Sequence, residues 1–237
     1  MENSFDMDAL TARLAAMSDS GYGAFSGALV PGAQNMLGVR LPALRGLAAE
    51  LRHGDWRAFL EASRSHPVFE VRMLHGMVLG GAKCSIGEKL RLADAFLPFV
   101  ENWSVCDSFC ASFKPKATEK DALFAFVRAC ADAPEEFRKR FGLVMMMNQF
   151  RNAPWVDGVM DAYRRFSHEG YYARMAAAWG LATLFLARRE ECLEILRDGR
   201  WDDFTHNKAI QKLIESRRVS DEDKAMLRTM KRKKAAE

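Results

Sequence analysis

Apolar residues recur at spacings of three and four along most of the chain, and no stretch alternates with a period of two. That pattern predicts helices throughout and no sheet. In residues 5–17, Leu10, Leu14 and Met17 fall on one face. Further runs, separated by breaks, predict helices near 42–52, 55–64, 68–82 and 86–100, then one opening at Asn102 and closed by Pro115. The pattern continues near 118–131, 135–151, 154–167, 170–187, 189–198, 201–216 and 220–233, about a dozen helices in all. The breaks carry Gly, Pro or a capping residue; Pro42 stands in a first turn, Pro67 opens a helix and Gly80-Gly81 lies near the end of one. Residues 18–36 differ, with four Gly and one Pro. They predict a loop holding at most a short helix, of the kind that is mobile or functional.

Links this short force consecutive helices to pack antiparallel, and such pairs stacked in order make a solenoid. Degenerate repeats of about 35 to 45 residues suggest HEAT-like pairs, with a globular orthogonal bundle as the alternative. The solenoid is preferred because the helices are similar in length and none reads as hydrophobic all round. The expected fold is therefore all-α, a single repeat domain over residues 1–237 with a basic tail from about 220 and a long concave groove.

Composition narrows the setting. Hydrophobic residues at 49% and charged residues at 28% are ordinary globular values. No apolar run approaches the roughly 20 residues that span a bilayer. The opening MENSFDMDAL has neither a basic leader nor an apolar core. A soluble, cytoplasmic monomer with no membrane contact is expected. Five cysteines without framework spacing fit reduced thiols. The net charge of +4 is uneven: Lys208 to Lys234 holds ten Lys or Arg against four Asp or Glu, so the remainder is −2. A basic end of this kind serves either as a phosphate contact or as a solvated, frayed helix.

The candidate chemistry is sparse. In NWSVCDSFCASFKPK, Trp103 and Asp107 stand four apart, one helical turn, while Val105, Phe109 and Phe113 form a neighbouring core stripe. From periodicity alone, Trp103 reads as core and Asp107 as a surface charge. In FRKRFGLVMMMNQFR, Arg138, Lys139 and Arg140 crowd a first turn, where the macrodipole disfavours cations. An external anion or screening by Glu135 and Glu136 would relieve them. Trp179, in an Ala-rich helix, reads as core or as part of a concave surface. Cys106 and Cys110 at i,i+4 lack the His or Cys partners of a zinc set, His206 reads as a surface or capping group, and Met145 to Met147 as adaptable core. No metal site or cofactor is indicated: GxGxxG, P-loop, GxSxG and HExxH motifs do not occur.

Taken in order, MLGVRLPALRGLA, NWSVCDSF, FRKRFGLV, GYYARMAAAWGLA and FTHNKAIQKLIESRRV, spanning residues 36–219, resemble the AlkD-type DNA alkylation repair proteins. The resemblance implies a HEAT-like solenoid that cradles duplex DNA and hydrolyses the N-glycosidic bond of cationic N3- or N7-alkylated purines. It also implies that Trp103, Trp179 and Arg140 contact substrate around Asp107 as the catalytic carboxylate, in one exposed cleft. Arg138, Lys139, Lys208 and Lys212 are the expected DNA contacts. No lysine nucleophile is required, which points to a monofunctional hydrolase. Ser104 stands where many members have a second acid, Gly142 replaces a small aliphatic residue, and residues 22–32 are Gly-rich where members can place an aromatic helix. The competing class is a non-catalytic HEAT module that binds nucleic acid or a protein.

Overall fold

The computed structural model describes residues 5–30 and 32–233. Fourteen α-helices and no strand occur among the described residues, so the all-α expectation holds. The chain forms two compact units, Met1–Leu123 and Phe124–Glu237. In the first are α1 (Met7–Ala16), α2 (Ser20–Leu29), α3 (Leu41–Leu51), α4 (Trp56–Ser63), α5 (Phe69–Gly81), α6 (Ile86–Phe96) and α7 (Trp103–Ser112). The boundary falls inside α8 (Lys120–Asp132). The second unit holds α9 (Glu136–Gln149), α10 (Val156–Arg164), α11 (Tyr171–Leu184), α12 (Arg189–Arg197), α13 (Asp203–Glu215) and α14 (Asp221–Thr229).

Each unit places alternate helices side by side. In the first, α3 and α7 pack on α5, with α4 and α6 also laid against α5. In the second, α9 and α13 pack on α11; α10 and α12 pack on each other and also on α9 and α11 respectively. This alternation is consistent with a helical repeat. Two helices are buried on nearly every side although their sequences are not hydrophobic all round: every residue of α5 from Phe69 to Gly80 except Arg72 is buried, Glu70 and His75 included, and α9 is buried continuously from Lys139 to Met147, Lys139 and Arg140 included. A helix flanked on both sides and covered by a second layer has no face left for water, so its amphipathic signal fades.

The platform beneath α7 is aromatic. Phe59, His75, Phe96, Phe109 and Phe113 form a chain of ring contacts through α4, α5, α6 and α7, with centroid separations of 4.0 to 6.4 Å. Gly76 and Gly80, one turn apart on α5, make room for α7. A Cβ on Gly76 would lie 2.8 Å from the Phe109 Cβ, and one on Gly80 would lie 2.7 Å from the Ser112 Cβ. The Val105, Phe109 and Phe113 stripe is buried, as its fourfold spacing predicts.

The Gly-rich segment departs from expectation. Ser20–Leu29 is a full ten-residue helix, started by the Asp19 carboxylate accepting from the Tyr22 N–H. Asp19 also pairs with Arg40, whose guanidinium lies over the Tyr22 ring. A cap and a tertiary ion pair together offset the weak helix propensity of its three glycines.

Candidate functional site

The N-terminal turn of α7 is set by Asn102, whose side-chain oxygen accepts from the Val105 N–H at 3.0 Å. Trp103 is the next residue and is half-buried. Its indole Nε1 donates to the Leu29 carbonyl at the end of α2, at 3.0 Å. The ring is thus tethered by its polar edge, not sunk in the core as periodicity alone predicts. Asp107 follows one turn along and is half-buried, so indole and carboxylate share one surface of α7. The helix tied to Trp103 carries two large apolar side chains in solvent, Phe25 and Leu29. Ser104 turns its hydroxyl to the Met73 sulfur.

The loop between α2 and α3 is held by a residue that the sequence pattern did not single out. Glu70 is 1% exposed, and its carboxylate accepts from the backbone N–H groups of Leu37, Gly38 and Val39 at 3.0, 2.7 and 3.3 Å. Gly38 turns there with φ +82°, and a Cβ would meet the Asp19 carbonyl oxygen at 2.3 Å. The one signal for it in the sequence is a lone acid inside the apolar run FEVRMLHGMVL.

In the second unit the basic triplet of α9 is largely internal. Lys139 is buried, and its ammonium donates to the Ala131 carbonyl at the end of α8, at 2.9 Å; burial lowers its pKa. Arg140 is buried as well, with one N–H on the Tyr172 carbonyl at 2.9 Å. Arg138 is half-buried. The picture of three cations turned toward an external anion is therefore corrected: two are turned inward onto main-chain carbonyls, which accept them as anions would. Glu136 does not screen them by lying in solvent. Its carboxylate accepts from the Tyr172 and Ala173 N–H groups at 2.5 and 3.3 Å. It thereby caps α11, whose own N-cap residue, Gly170, has no side chain to do so. Glu136 and Arg140 together clamp the start of α11 from the backbone N–H and carbonyl of Tyr172. Gly142, a departure from the family pattern, has a physical reason: a Cβ would lie 2.4 Å from the Ala131 backbone nitrogen, so α9 could not sit so close to α8.

Trp179 lies two turns beyond Tyr172 on α11 and is 37% exposed, which excludes the core alternative. Other residues of the same unit form a cationic aromatic patch. Arg174 and Lys208 lie over the Phe204 ring at 4.6 and 5.9 Å, and exposed Tyr171 packs on it at 5.8 Å. Lys208 also donates to Gln211, and Lys212, in the last turn of α13, is half-buried. His206 is not a surface group: it is 2% exposed, with Nε2 at 2.8 Å from the Met230 carbonyl. Asn207 and the backbone of Arg232 exchange two hydrogen bonds, each 2.9 Å. The basic end is thus pinned to α13 as far as Arg232, while α14 buries only Leu227 and is otherwise a solvated helix; the tail expected beyond residue 233 lies outside the described residues.

The structure brings Trp103 and Asp107 onto one face in the first unit, and it places Arg140 and Trp179 in the second. No group of three or more metal-ligating side chains occurs among the described residues, and no helix there is long and apolar enough to cross a membrane. An all-helical protein with a tethered tryptophan beside a carboxylate, a second exposed tryptophan and cation-rich surfaces has the makings of one that handles a cationic or nucleic-acid ligand. The sequence matches the family model described as DNA alkylation repair enzyme over residues 10–195, and the chain belongs to that family. Its role is accordingly in DNA alkylation repair, with DNA as the molecule concerned. No significant match was found among curated proteins or among solved structures.

Proposed function

We propose that the protein is a monofunctional glycosylase that hydrolyses the N-glycosidic bond of cationic N3- or N7-alkylated purines in duplex DNA, acting as a monomeric HEAT-like solenoid. The observation that carries this reading is the pairing of Trp103 with Asp107 on one accessible face of α7, the indole fixed through Leu29. An alkylated purine already bears positive charge and leaves without prior protonation, so a general acid is not needed. What the reaction needs is stabilisation of the sugar cation and a positioned water. A carboxylate at Asp107 supplies both, as carboxylates do at glycosidic centres. Trp103 and Trp179 each offer an indole face to a cationic nucleotide, worth on the order of 0.5 to 2 kcal/mol per contact.

Among the basic residues, Arg138, Lys208 and Lys212 are assigned to DNA phosphates. Lys139 and Arg140 are assigned to positioning, because their donors are engaged on Ala131 and Tyr172. Arg140 acts on the substrate through Trp179, by fixing the start of the helix that carries that tryptophan. The test is incubation of the protein with duplex DNA containing one N7-methylguanine, followed by a base-release assay. Release above the uncatalysed rate is expected. Duplex binding without release would replace the enzyme with a non-catalytic DNA-binding module.

A further inference from the structure

A cavity of the first unit lies at the opposite end of α7 from Trp103. It measures about 760 Å³ and opens at the C-terminal ends of α3, α5 and α7. That volume is within the range of small-ligand sites, about 300 to 1,000 Å³. Six cations line it: Arg45, Arg52, Lys83, Lys89, Lys114 and Lys116, against one carboxylate, Glu119. Glu119 is itself engaged by the Lys116 backbone N–H at 2.8 Å.

Helix C-termini attract cations, which accounts for part of the set. Arg52 donates to the Met77 carbonyl at 3.4 Å and Lys89 to the Gly80 carbonyl at 3.1 Å. Lys83 and Lys114 also directly follow the ends of α5 and α7, but Arg45, in the middle of α3, and Lys116, beyond α7, are not accounted for in this way. Elsewhere in the unit Arg13, Arg40, Arg57 and Arg72 each form an ion pair with a carboxylate. None of the six around the cavity does so among the described residues. A smaller cavity in the same unit, about 290 Å³, sets three arginines against Glu61 and Glu88 and is nearly balanced. Like charges gathered around one concave space repel, and the low-dielectric walls focus their field into it. Such a space is complementary to a compact, multiply charged anion with several acceptor oxygens.

We propose that this cavity is a phosphate-binding site. The phosphate comes either from the backbone of a duplex held along α7 or from a free phosphate compound; both present the same oxygens to the same lysines. The assignment is independent of base release.

The experiment uses the whole chain and two double variants of equal charge loss. Lys114→Gln with Lys116→Gln removes exposed cations from the cavity, and Arg64→Gln with Arg91→Gln removes exposed cations from the balanced one. Pyrophosphate binding is measured by titration calorimetry at low salt, and duplex affinity by anisotropy across a salt series. Pyrophosphate binding is expected to weaken roughly tenfold or more in the cavity variant alone. If a duplex backbone phosphate is the source, the salt dependence of duplex affinity also falls by about 1 in log–log slope for that variant. If a free phosphate compound is the source, the slope is unchanged while pyrophosphate binding is weakened to the same extent. Equal behaviour of the two variants in both measurements overturns the proposal.

Discussion

The N-terminal halves of α7 and α9 carry most of the residues on which function is expected to depend, and they treat their polar side chains in opposite ways. At the start of α7, Trp103 and Asp107 stay half-exposed, and the indole is fixed by one hydrogen bond from its edge to Leu29. Next to them the core stripe of Val105 and Phe109 carries the packing, so neither functional group is needed for it. At the start of α9, Lys139 and Arg140 are buried and their charge is turned onto the carbonyls of Ala131 and Tyr172. A cationic run in a sequence is therefore not by itself a surface for phosphate. Backbone carbonyls at the ends of neighbouring helices can take the same cations.

Substitutions in the two helices should have opposite signatures. The largest effect is expected at Asp107: Asp107→Asn should slow release of N7-methylguanine by roughly 10² to 10³, with the fold retained because Asn keeps the shape of the side chain. A wild-type rate in the base-release assay would remove Asp107 from catalysis. Arg140→Met should behave in the opposite sense, mainly lowering stability. It leaves the Tyr172 carbonyl without this donor, at a cost of about 1 to 3 kcal/mol, or about 2 to 4 °C in melting temperature per kcal/mol for a chain of this size. An unchanged melting curve would show that the clamp on α11 does not depend on it.

The platform under α7 should be sensitive to acid. Burial, with a smaller contribution from Arg64, pulls the pKa of His75 down to about 3, and its Nδ1 lies 2.8 Å from the Ser63 hydroxyl. Because the folded value is below the ordinary one near 6.5, the unfolded chain takes up the proton first as pH falls. His75 therefore withdraws stability below about pH 6.5 and goes on doing so down to about pH 3, by at most about 1.4 kcal/mol per pH unit. Urea midpoints between pH 7 and 5 should fall less in His75→Gln than in the wild type; equal slopes would exclude the histidine as a cause. Trp103→Phe keeps an aromatic face but removes the donor to Leu29, and should cost about 0.5 to 1.5 kcal/mol, read by chemical denaturation. If stability were unaltered, the tether between α7 and α2 would carry no net energy. The smallest change is expected for Lys208→Gln with Lys212→Gln, a modest weakening of duplex affinity. It should flatten the log–log salt dependence by about 1 for each phosphate no longer neutralised and leave the choice of lesion unaltered. An identical salt slope would remove both lysines from the DNA contact.

The helical class and nearly every helix follow from the order of residues alone, because the 3.6-residue period of apolar positions and the Gly, Pro and capping breaks are local properties of the chain. So does the likeness to a family's site, since Trp103, Asp107, Arg140 and Trp179 stand in short motifs. What each side chain faces is a matter of tertiary packing. Residues 20–29 are a helix whose capping Asp19 is also paired with Arg40 from a distant position, a contact that no local propensity reports. The largely buried α5 and α9 have no amphipathic stripe to read, because neighbours cover them on nearly every side. Glu70 and Glu136 act on backbone N–H groups more than thirty positions away. Whether a charge meets water, a carbonyl or a ligand is settled by such long-range packing, and the burial that decides it is a property of the assembled helices, not of the order of residues along any one of them.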